Sequence, residues 1–176
     1  MAKTYEFISE GIVGPSGATS IVLNNIPQTY TDLALKCSLR TTLNGGFANY
    51  NWVGMRVNNN SSLTYVIRAL YGTNGSTGSL NRSDTQLGQH DFDTSSFATA
   101  NTFSNSDYYF SDYTSSTVKA AWAEGAAGAN SSSWAGIGIS SLYIPLTTGI
   151  TSISIYDLDA NLVQHSSATL YGIKKS

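Results

Sequence analysis

Residues 32–39 read DLALKCSL, and this alternation limits the possible folds more than any other feature of the chain. Leu33, Leu35, Cys37 and Leu39 fall on one side of an extended backbone, and Asp32, Lys36 and Ser38 on the other, with Ala34 the exception. A period of two is that of a strand with one buried face. Similar runs recur along the chain: Ser20–Leu23, Trp52–Val57, Thr64–Tyr71, Tyr108–Phe110, Thr117–Ala123, Trp134–Ser140, Ile150–Tyr156 and Ala168–Ile173. Turn clusters separate them, as at Asn58-Asn59-Asn60-Ser61-Ser62. The one alanine-rich stretch, Ala120–Ala129, is interrupted by Gly125 and Gly128, each costing about 1 kcal/mol inside a helix. Eight to ten short strands without helices predict an all-β fold, an antiparallel β-sandwich. Long polar connections, chiefly Gly72–Ser106 (with a further strand allowed at Gln86-Leu87-Gly88-Gln89 and Phe92) and Gly125–Ser133, favour a jelly roll over a tight up-and-down barrel.

Composition narrows the chemistry. Only 11% of the 176 residues are charged, against about a quarter in ordinary soluble domains. Ser, Thr, Asn and Gly take their place, so water is held by hydroxyls and amides. Acid–base and nucleophilic catalysis needs titratable side chains, which are scarce here, and the chain reads as non-enzymatic. A net charge of −2 gives no electrostatic footprint for nucleic acid. The length suits a single domain over 1–176. Cys37 is the only cysteine, and among leucines it is expected as a small buried hydrophobe. The opening residues lack the apolar run of a signal peptide, and no stretch approaches the ~20 apolar residues of a membrane span. Synthesis in the cytoplasm of the producing cell is therefore expected.

Three constellations invite a chemical reading. His90-Asp91-Phe92-Asp93 puts three potential metal ligands within four residues, but in a strand His90 and the two aspartates face opposite ways. A solvated loop tip is expected, with no metal. Asp157-Leu158-Asp159-Ala160-Asn161 opens like a calcium loop, yet Leu162 and Ala168 stand where an EF-hand needs Gly and Glu. A turn is expected there, and a looser calcium site is the alternative. His90 and His165 sit among many serines, but no Gly-x-Ser-x-Gly elbow appears. A small hydrolase is thus the least favoured reading. Neither cofactor nor metal is expected.

Aromatic residues point instead to contact. Tyr108, Tyr109 and Tyr113 lie beside Asp112, and such groups can stack on sugar rings or anchor an interface. With Gln86, Gln89 and His90 of the long polar segment they form the candidate contact surface. The competing reading makes alternate members of this cluster core residues. Trp52, Trp122 and Trp134 sit in apolar runs and are expected in the core.

Three segments carry a resemblance. The opening Tyr5-Glu6-Phe7-Ile8 is followed by a Gly/Ser turn and Ser20–Leu23; then come Ile26-Pro27-Gln28-Thr29-Tyr30-Thr31-Asp32-Leu33 and the close Ser167–Lys174. In order and spacing the chain resembles short virion-associated proteins of tailed bacteriophages of aquatic bacteria and cyanobacteria. The resemblance implies a β-sandwich displayed on the particle exterior, as head decoration or as part of a fibre or tail appendage. The implied partners are other capsid or tail proteins and further copies of the chain, as a homotrimer or another closed oligomer. The alternative is a receptor-binding adhesin that recognises host surface glycans.

Overall fold

The computed structural model describes residues 5–174 except 44–49, 86, 95, 97, 130–134 and 158, and of 50–53 and 87–93 the backbone alone. The described residues form twelve strands. In chain order these are β1 Tyr5–Ile12, β2 Ser20–Leu23, β3 Asp32–Leu39, β4 Tyr50–Val57, β5 Tyr65–Thr73 and β6 Ser76–Asp84. They continue with β7 Leu87–Thr94, β8 Ser104–Phe110, β9 Lys119–Gly128, β10 Ala135–Ile144, β11 Ile153–Asp157 and β12 Ser167–Ile173. No helix among the described residues is long and apolar enough to cross a membrane.

All strand pairs are antiparallel, and the strands form two sheets. The smaller has the order β2-β11-β4-β7; the larger runs β1-β12-β3-β8-β9-β10-β5-β6. Its first four strands and the smaller sheet make a jelly roll: among these eight strands the chain changes sheet at every step except from β4 to β7, giving the orders β1-β12-β3-β8 and β2-β11-β4-β7. Two hairpins are inserted into this body, β5–β6 and β9–β10, and both lengthen the same side of the larger sheet.

The core lies between the sheets, where the alternation of β3 places Leu33, Leu35, Cys37 and Leu39. Leu23, Ile67, Phe110, Leu142, Ile155 and Leu170 meet them from both layers. Burying such side chains contributes about 1.5–3 kcal/mol each relative to leaving them in water.

Two segments expected mainly as loops contain strand: much of the first, including β7 where a strand was allowed, and residues 125–128 of the second. Gly72–Ser106 contains β6, β7 and the start of β8. β6 is polar apart from Leu80, which packs against the core, and reads as loop, but it is the outermost strand and needs only one partner, β5. The turn between them is two residues long, with Gly75 at φ +82°, a conformation that favours glycine. The glycines of 125–128 lie inside β9, whose buried face is Ala121, Ala123, Gly125 and Ala127. β10 faces the core with Gly136, Gly138 and Ser140 before Leu142 and Ile144. These small side chains lie where β7 of the other sheet packs across β9 and β10.

Buried cations pin the connections. The Arg40 guanidinium, just past β3, donates to the carbonyls of Ala98 (3.0 Å), Thr99 (2.9 Å), Thr102 (3.0 Å) and Ser96 (3.4 Å). It therefore organises the link from β7 to β8, and burial lowers its pKa. Lys119 is 2% exposed. Its ammonium donates to the carbonyls of Ser115 (2.6 Å), Thr117 (2.6 Å) and Leu146 (3.1 Å). Burial pulls its pKa down, while Asp112 acts in the opposite direction. Asn58, at φ +52°, closes the opposite turn: its Oδ1 accepts from the Thr151 and Ser152 amides, and its Nδ2 donates to Gly149.

Candidate interaction surface

β8 alternates so that Ser104, Ser106, Tyr108 and Phe110 point inward. Tyr108 and Tyr113 are accordingly core residues, 2% and 0% exposed, and neither offers a surface to a partner. Tyr113 lies in the turn after β8, and its hydroxyl donates to the Pro27 carbonyl. This corrects their assignment to the contact surface, and the physical reason is the phase of the strand. Tyr109 faces outward and is half-buried. Its hydroxyl donates to Asp32 Oδ2 (2.7 Å), while Asp32 Oδ1 accepts the Asp112 amide (2.8 Å). Asp112 itself is exposed, at φ +49°. Tyr109 and Asp112 thus meet on a buried carboxylate that holds the end of β8. Gln86 lies outside the described residues. Gln89 and His90 are described by backbone only, on β7 at the edge of the smaller sheet, whereas Tyr109 is on the larger one. Of the four residues of this set whose side chains are described, Tyr108 and Tyr113 are buried and Tyr109 and Asp112 reach the surface.

The Tyr109 phenol is pushed up to about 12, first by its hydrogen bond to Asp32 and then by burial. Tyr156 is also pushed up to about 12, by burial, with Arg56 (5.2 Å from its ring centre) acting in the opposite direction. In the unfolded chain these phenols ionise near their ordinary value of about 10. Between pH 10 and pH 12 the unfolded state has therefore lost protons that the folded state keeps, and stability falls as pH rises. Urea unfolding at successive pH values across that window is expected to show this fall, with a shallower slope in Tyr109→Phe.

Asp157 is buried and closes its own turn. Its Oδ1 accepts the amides of Asp159 (2.7 Å) and Ala160 (2.8 Å), as the turn reading expects. Among the described residues, no three acidic, histidine or cysteine side chains converge in a group that could hold a metal ion.

The feature that stands apart is the outer face of the larger sheet. The register aligns Tyr109, Trp122, Ser141, Arg68 and Asn81 in one row across β8, β9, β10, β5 and β6. The next row runs Asp107, Glu124, Ile139, Leu70 and Ser79. Trp122 is 46% exposed, Ile139 52%, Leu70 60% and, one row further, Ile137 61%. Trp122 is therefore not a core residue: with Ala121 and Ala123 turned inward, it must face out. Of the other two tryptophans, Trp52 is described by its backbone only and Trp134 lies outside the described residues. The Trp122 indole stacks on Tyr109 (centroids 6.1 Å apart, planes at 17°). A groove of about 620 Å³ follows, with Ser141 on its floor and Arg68, Leu70, Ile139 and Asn81 around it. A second hollow of about 360 Å³ adjoins it, lined by Asp107, Glu124, Ile137 and Ile139.

Contiguous exposed apolar surface of this kind marks interaction sites. Its signal in the sequence is an inverted alternation: GIGIS in β10 turns glycines inward and isoleucines outward. Comparison with known proteins finds no family model that matches the chain, no curated protein that matches its sequence and no solved structure that matches it.

Proposed function

We propose that the chain is a non-enzymatic structural component of a tailed-bacteriophage particle, displayed on the exterior as capsid decoration or as part of a fibre or tail appendage. One observation carries this reading: the larger sheet presents Trp122, Ile137, Ile139 and Leu70 on its open face, a surface fit to be covered by protein. The use of ionisable side chains supports it. Arg40, Lys119, Asp32 and Asp157 are buried and hold backbone in place. The resemblance of both termini to virion-associated proteins supplies the setting, in which the chain is made in the host cytoplasm and packs against other virion proteins. Mass spectrometry of purified particles is expected to find the chain at stoichiometric copy number. Its absence from them overturns the proposal.

A second reading rests on the groove itself. Trp122 stands beside Arg68, Asn81 and Ser141, an aromatic face with hydrogen-bonding neighbours, as sugar recognition requires. In that reading the chain is an adhesin for host surface glycans. A glycan array without binding, together with free protein that leaves phage adsorption unchanged, removes it.

A further inference from the structure

The outer face carries its own complement. Arg68 lies in the row of Trp122, and Glu124 in the row of Leu70 and Ile139, so that Arg68 and Glu124 occupy opposite corners of the apolar strip. Strand spacing and residue rise put their positions about 12 Å apart. Neither makes an ion pair among the described residues. We infer that the partner covering this face is a second copy of the same chain, related by a two-fold axis, an inference that rests on the face being a protein contact.

A two-fold axis lying in the plane of the face and crossing the Arg68–Glu124 diagonal at right angles exchanges the two corners. Each Arg68 then meets Glu124 of the other copy, so one contact is made twice, as an isologous interface requires. Trp122, Ser141, Ile139 and Leu70 fall on either side of that axis and are closed over by the two ion pairs. The arrangement is that of an apolar centre with a charged rim. The area is sufficient. β8, β9, β10, β5 and β6 at ordinary strand spacing present about 700 Å² per copy, close to the about 800 Å² per partner of a standard interface. The exposed side chains suit protein better than sugar, because Ile137, Ile139 and Leu70 offer neither a ring face nor a hydrogen bond.

Sedimentation velocity on the full chain, from about 1 to about 100 µM, tests this. A concentration-dependent dimer is expected. Arg68→Glu and Glu124→Arg each place like charges together and are expected to weaken the dimer by about tenfold or more, while the double exchange restores it. Both positions are exposed, so circular dichroism is expected to report an unchanged fold. Ile139→Asp, in the apolar centre, is expected to leave only monomer. Wild-type chain that stays monomeric throughout the range overturns the inference, whether or not it binds a glycan. A dimer indifferent to both charge reversals and to Ile139→Asp overturns it equally. Since the particle assay reads presence on the virion and this one reads self-association, each can fail without the other.

Discussion

Arg40→Ala is expected to lower the melting temperature by about 10 °C, corresponding to about 3–5 kcal/mol. The cause is specific. The guanidinium donates to four carbonyls, those of Ser96, Ala98, Thr99 and Thr102, all on the link between β7 and β8. Removing it leaves several acceptors without a donor in a place where water does not easily follow. The same link is tied down by Thr41 donating to Thr94 and by Thr99 donating to Ala129, so its loosening reaches the end of β9. Arg40→Lys keeps the charge but not the planar fork, and is expected to recover only part of the loss. Thermal denaturation followed by circular dichroism reads both variants. Native-state hydrogen exchange is expected to locate the damage, with the Thr99 and Thr102 amides losing protection first.

Lys119→Met is expected to cost about 2–4 kcal/mol. Methionine keeps the length of the stem and loses all three donors. The ammonium carries three N–H groups and meets three carbonyls, those of Ser115, Thr117 and Leu146, so its hydrogen-bonding capacity is used in full. These carbonyls hold the connection from β8 to β9 against the exit of β10. Urea unfolding of the variant is expected to show a lower midpoint with an unchanged slope, because the extent of surface exposed on unfolding is the same.

Where a strand buries one face against a large layer, the chain announced it. β2 fell at Ser20–Leu23 and β3 at Asp32–Leu39 because apolar and polar residues alternate there in the phase the core demands. The sandwich followed from many short strands, whereas the long connections that favoured a jelly roll are largely strands, and it is the strand order that makes one. Two circumstances concealed the rest. β6, STGSLNRSD, lies at the sheet edge and carries a single apolar residue, Leu80, so no hydrophobic rhythm marks it. β9 and β10 reverse the usual sign: alanine and glycine point inward, where β7 comes across, and Trp122, Ile137 and Ile139 point outward. Reading apolar as buried therefore misplaced Trp122. Treating neighbouring aromatics as one cluster set Tyr108 and Tyr113 beside Tyr109 on a surface, although strand phase turns Tyr108 inward and Tyr113 is buried in the turn that follows. The Arg40 and Lys119 clamps were not visible at all, because their acceptors are backbone carbonyls, which no residue type reveals; Arg40 and Thr99 are 59 positions apart.

Trp122, Glu124, Ile137, Ile139, Arg68 and Leu70 all belong to β9, β10 and β5. None sits on the eight strands that make the jelly roll itself. The same strands turn Ile67, Ala121, Ala123 and Leu142 into the common core, so each of them serves the body with one face and carries the proposed contact on the other. Because the period of two separates the faces, substitutions at the outward positions alter the exposed apolar surface and leave the inward set that packs the body untouched.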